Sequence, residues 1–202
     1  MFDADLILFY GITFGILIMT IVYTIIRYIY SKEIFYISYG CMQIFSLIYI
    51  VAYSKLFAIS YLIQELSLIS ASLCAVIFAI NFYEGNFLPK ISNYKELFIN
   101  TILLNIVILT SFYHYILFEY IPYTIIYAIL FISIIFNLKQ GFKPTLIYVL
   151  GWSIFCILLF IFDFKSFYNQ MGYFDLVLLV FAIEAMLFTI SIAYKYNDLK
   201  NK

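Results

Sequence analysis

Apolar runs of roughly 20 residues follow one another along the chain, each long enough to cross about 30 Å of hydrocarbon as a helix. Backbone amides at that depth must be satisfied within their own segment or by a closed barrel. The runs are too long for barrel strands and show no alternation of period two, so helices are the solution left. Composition agrees. Of 202 residues, 66% are hydrophobic and only 11% charged, with a mean hydropathy of +1.07. A soluble domain of this size carries far more charge. The expected class is therefore an all-α membrane protein.

Punctuation divides the chain into seven spans, at about 6–26, 34–54, 57–82, 97–117, 120–137, 145–162 and 174–194. "RYIYSKE" and "NLKQGFKP" supply the charges and helix breakers that end the first and fifth. Pro144 suits the first turn of the sixth. The longest connection, "FYEGNFLPKISNYKE", contains Gly85 and Pro89. The reading is one seven-helix bundle over residues 1–202. With the N-terminus outside, Arg27, Lys32, Lys90, Lys95, Lys139, Lys143, Lys195, Lys200 and Lys202 lie on the cytoplasmic side, leaving Lys55 and Lys165 outside. That asymmetry predicts an external N-terminus and a cytoplasmic C-terminus. The first span has an acidic flank and no small-residue cleavage site, so it is expected to stay as an anchor.

Polar groups within the runs are the candidates for function, because each is expensive in hydrocarbon. Glu184 lies about 13 Å, and Glu65 about 12 Å, in from the outer ends of their spans at 1.5 Å per residue. Two readings stay open for them. They line an outward-facing pocket with Gln64 and His114 that binds a ligand or proton, or they lock helices together by internal hydrogen bonds. His114 is the sole histidine, cannot assemble a metal site by itself, and reads more readily as an interfacial residue among tyrosines than as part of that pocket. Asn100 and Asn105 are expected to bond across helices.

Ser60, Gln64, Ser67, Ala71 and Cys74 follow a 4-3-4-3 spacing, which places them on one helical face and makes the third span the candidate central helix. Gly11 and Gly15 in "GITFG" offer a similar face for close helix packing. Arg27, Lys90, Lys95, Lys139, Lys143 and Lys195 form the expected face toward a cytoplasmic partner. Cys41, Cys74 and Cys156 are far apart in apolar runs and read as packing residues. Trp152 reads as packing too. No nucleophile–base pair, glycine-rich phosphate loop or metal-ligand cluster stands in the sequence, so no enzymatic activity, metal or cofactor is expected. No basic patch suggests nucleic acid.

Three stretches carry a family resemblance. "FYGITFGILIMTIVYTIIRYIYSKEIFYISYG" (Phe9 to Gly40) pairs a glycine-marked span with a short basic turn and a tyrosine-rich second span. "GFKPTLIYVLGWSIFCILLF" (Gly141 to Phe160) joins a small basic loop to an aromatic-bearing sixth span. "AIEAMLFTISIAYKYNDLK" (Ala182 to Lys200) has a buried glutamate, a serine one to two turns later and a basic residue at the membrane exit. Together these resemble the bacterial seven-transmembrane receptors with diverse intracellular signalling modules. The resemblance implies a sensory module in the bacterial inner membrane that passes a signal to a cytoplasmic domain such as a histidine kinase, diguanylate cyclase or phosphatase. Few residues flank the outermost spans, so the output is expected on a separate cytoplasmic protein. Two other functions fit the sequence: a scaffold for an inner-membrane complex, and a small proton-coupled transporter.

Overall fold

In a computed structural model, the described residues are 4–53, 59–83, 96, 99–100, 103–104, 106–108, 111, 121–140, 143–168 and 174–200. Among them the structure is helical, with no strand. The helices are α1 (Ala4–Ser31), α2 (Ile34–Tyr53), α3 (Tyr61–Tyr83), α4 (the described residues within 96–111), α5 (Ile121–Gln140), α6 (Lys143–Tyr168) and α7 (Phe174–Lys200). Among the described residues, four helices carry windows long and apolar enough to cross a membrane: Tyr10–Ser31, Ile34–Tyr53, Tyr61–Tyr83 and Ile121–Leu138. Within α6, Pro144–Leu158 is a shorter apolar segment.

Hydropathy locates the oily part of a helix, whereas hydrogen bonding decides its ends, and the two differ here. The α1 helix continues past the basic Arg27 because the Ser31 hydroxyl donates to the Arg27 carbonyl at 2.9 Å. It stops at Lys32, whose φ of 59° is left-handed and whose N–H returns to the Tyr28 carbonyl at 2.8 Å. This is an αL cap made without glycine. Similarly, α7 runs on through the polar "YKYNDLK" to Lys200. The α3 helix starts later than the apolar run suggests. Ser60 is not helical; its carbonyl accepts the N–H groups of Ile63 and Gln64 at 3.0 and 3.3 Å. Ser60 is exposed at the helix entrance and so does not belong to the packing stripe expected of it.

Two compact units divide the chain. One holds residues 21–129, the other 1–20 and 130–202. In the first, α2 and α3 run side by side in opposite directions. Tyr39 meets Phe78 with ring centroids 5.0 Å apart, and the Asn81 amide reaches the Ser38 hydroxyl at 3.5 Å. Ile69 and Leu73 of α3 pack with Ile108 of α4, and Ile121 and Ile125 of α5 lie against them. The apolar window of α3 is 67% buried, against 22% for those of α1 and α5. Ser67, Ala71 and Cys74 are on its buried side and Gln64 is half-buried.

The glycines of α1 behave differently from the expectation. Gly11 and Gly15 are exposed, and a Cβ built on either meets nothing within 4 Å. The buried face of α1 is instead Tyr10, Thr13, Leu17, Thr20 and Thr24, a 3-4-3-4 stripe nearly half a turn away. Thr20 and Thr24 donate their hydroxyls to the carbonyls of Leu17 and Ile21 at 2.8 Å, so both are satisfied within the helix. Gly11→Ala and Gly15→Ala are therefore expected to raise stability slightly, by up to about 0.5–1 kcal/mol each from helix propensity. Unfolding in mixed micelles measures this; a loss in either variant would restore the glycines to a packing role.

Candidate functional site

The face where α6 meets α7 concentrates polar groups among aromatic ones. On α7, residues three and four apart are buried in sequence: Phe181, Glu184, Phe188, Ser191 and Lys195, with Ala185 and Ile192 beside them. The opposite face, Met186, Ile190 and Tyr194, is exposed. On α6 the buried set is Thr145, Tyr148, Gly151, Trp152, Phe155 and Cys156.

The helices run antiparallel, and three tiers fix their register. At the start of α6, the Ser191 hydroxyl donates to the Pro144 carbonyl at 2.8 Å. One turn further along α6, the Phe188 ring stacks on Tyr148 at 5.1 Å and stands edge-on to Trp152 at 4.9 Å. The last tier joins Phe155 to Phe181 at 5.3 Å, edge to face. Gly151 makes the middle tier possible. A Cβ there would lie 2.5 Å from Phe188 Cε1 and 2.9 Å from Cδ1. That ring is fully buried and cannot swing away.

Glu184 sits on α7 between the second and third tiers, 3% exposed. Lys195 lies on the same face, eleven residues on, which is three turns and about 16 Å. The two charges therefore mark opposite ends of one buried stripe and are too far apart to pair with each other. Lys195 is itself only 3% exposed, which corrects its expected place on an open face toward a cytoplasmic partner. Spacing from Ser191 turns it inward. On α6, Thr145 Oγ1 and Trp152 Nε1 are buried with no hydrogen-bond partner among the described residues.

Glu65 is also buried, at 7% exposure, but on α3 in the other unit. Its neighbour Gln64 offers its backbone carbonyl to the Ser67 hydroxyl at 2.7 Å. Arg27 is half-buried, with Nε donating to the Tyr23 hydroxyl at 3.2 Å and the guanidinium 5.4 Å from the same ring centre. Of the remaining expected positions, His114, Lys90, Lys95 and Asn105 lie outside the described residues, as do the side chains of Lys139 and Lys143. Asn100 is helical and exposed. Among the described residues no three His, Cys, Asp or Glu side chains gather as a metal set.

Sequence reasoning singled out Glu184, which is buried here, and missed the aromatic tiers beside it. The signal was present only once a register is known: with Ser191 set against Pro144 in an antiparallel pair, Tyr148 and Phe188 stand one turn on, four and three residues away. Searches of curated proteins and of solved structures returned no match. A comparison with protein families matches residues 6–195 to the family described as 7TM diverse intracellular signalling. Nearly the whole chain is covered, from the first turn of α1 to Lys195, and the chain belongs to that family of membrane signalling domains.

Proposed function

We propose that this chain is a seven-span sensory module of the bacterial inner membrane, N-terminus outside and C-terminus in the cytoplasm. It passes a signal to a separate cytoplasmic protein through α7. One observation carries this reading: α7 is a single helix from the apolar run into the polar "YKYNDLK", with two charged residues on its buried face. A carboxylate and an ammonium group buried in a lipid-embedded interface cost more than apolar residues of similar size. They are useful where an interface must have two packings rather than one. The buried Thr145 hydroxyl and Trp152 indole N–H support this, since they have no hydrogen-bond partner among the described residues and a second packing can supply one. A stimulus that prefers one packing then shifts the balance by its difference in affinity.

The test is a photo-crosslinking residue at Asn197, exposed on the polar end of α7, in intact cells. The expected product joins the chain to a cytoplasmic kinase, cyclase or phosphatase. The same residue at Met186, exposed within the apolar part of α7, should give none. Capture of a structural subunit of a membrane complex would favour the scaffold reading instead, and equal yields at the two positions would remove α7 as the output.

A further inference from the structure

The α1–α2 pair holds a cavity that the signalling reading does not use. It has a volume of about 200 Å³ and is lined by Thr24, Ile25 and Tyr28 of α1 and by Tyr36, Ile37, Gly40, Cys41 and Ile44 of α2. All eight residues belong to the unit of residues 21–129. From Tyr36 to Ile44 the groove extends about 12 Å along α2, narrow and elongated in the direction of the helices. Its wall is apolar, because the Thr24 hydroxyl is occupied by the Ile21 carbonyl. Ile25 and Ile44 on the rim are exposed, so the groove opens sideways, toward the membrane.

Its lower end is different in character. Tyr28 and Tyr36 close it immediately before the α1–α2 turn, and that turn carries charge. Lys32 is exposed, with its ammonium 5.5 Å from the Tyr28 ring centre. Arg27 sits one turn back on α1. Glu33, also exposed, is the one acid in the turn, so the three groups leave a net positive charge. Lys32 holds a left-handed backbone in a place where glycine would cap α1 with less strain. A cation is thus kept beside the mouth of an apolar, membrane-facing slot.

We propose that this groove binds one molecule of an anionic phospholipid, with part of an acyl chain lying along α2 between Ile37 and Ile44 and the phosphate held at Lys32 with support from Arg27. The chemistry on both sides of the membrane surface matches. A methylene chain fills an apolar slot that water would leave unfavourably wetted, and an anionic headgroup meets the cation at the level where headgroups lie. The arrangement works in whichever leaflet the turn resides.

The test uses the full chain in nanodiscs of equimolar phosphatidylglycerol and phosphatidylcholine, followed by mild detergent extraction and native mass spectrometry. One retained phosphatidylglycerol is expected, favoured about fivefold over phosphatidylcholine, the contribution of one net basic group at a membrane surface. Lys32→Gln should bring the ratio close to parity. Ile25→Trp, on the exposed rim where folding is not at stake, should fill the slot and lower retention of both lipids. Equal retention by the unaltered chain, an unchanged ratio in Lys32→Gln, or unchanged retention in Ile25→Trp would each overturn the assignment. The output tests at Asn197 do not depend on this site, so either reading can fail alone.

Discussion

Phe188→Ala is expected to cost about 3–5 kcal/mol, the usual loss when a fully buried phenylalanine is cut back. The ring touches Tyr148 and Trp152 and fills the hollow left by Gly151. In lipid, helices are held by close packing more than by exclusion of water, so the loss appears as a looser α6–α7 pair. Gly151→Ala attacks the same contact from the other side, overfilling it at about 1–3 kcal/mol. The double variant is the sharper measurement. Removing the ring opens the space that the new methyl group needs, so the two losses should fall short of additive by at least about 0.5 kcal/mol. Trp152 is the only tryptophan in the chain and lies in this contact, so its fluorescence during unfolding reads the pair directly. Strict additivity would show that Phe188 and Gly151 do not meet.

Glu184→Gln is expected to abolish output while leaving the chain inserted and abundant. Glutamine keeps the volume and hydrogen-bonding capacity of the side chain but removes its charge. If the two packings of α6 and α7 differ in how they stabilise a carboxylate at this depth, the neutral amide leaves one packing permanently preferred. Couplings of this kind are commonly worth a factor of at least about five. The measurement is the activity of the partner captured through Asn197, with and without the substitution, at equal membrane levels of the chain. Full output with glutamine would reduce Glu184 to a helix lock. Loss of function on charge changes at Lys90, Lys95, Lys139 or Lys143, with Glu65→Gln and Glu184→Gln tolerated, would point to a scaffold.

The helical class was readable in the sequence because lipid allows so few backbone solutions, and the breaks at Lys32 and Pro144 were readable from their chemistry. Faces were harder. Two small residues four apart permit a close approach without requiring one, and in α1 the threonine stripe took the interior while Gly11 and Gly15 took the outside. Counting basic residues assigns a side of the membrane but carries no information about rotation around a helix. Lys195 was therefore placed on the right stretch and the wrong face. The spacing 184-188-191-195 would have turned it inward had it been weighed against the charge count. Contacts between distant segments, such as Gly40 with Thr24 at 2.9 Å from a built Cβ, leave no local mark at all.

The seating of Phe188 against Gly151 also has a mechanical side. It lies near the middle of α7, with 14 residues running to Phe174 and 12 to Lys200. At 1.5 Å per residue these arms are about 21 and 18 Å long. A rigid rod tilting on such a fulcrum moves its ends in opposite senses by nearly equal amounts. The fold would thus act as a balanced lever, inverting a displacement without amplifying it.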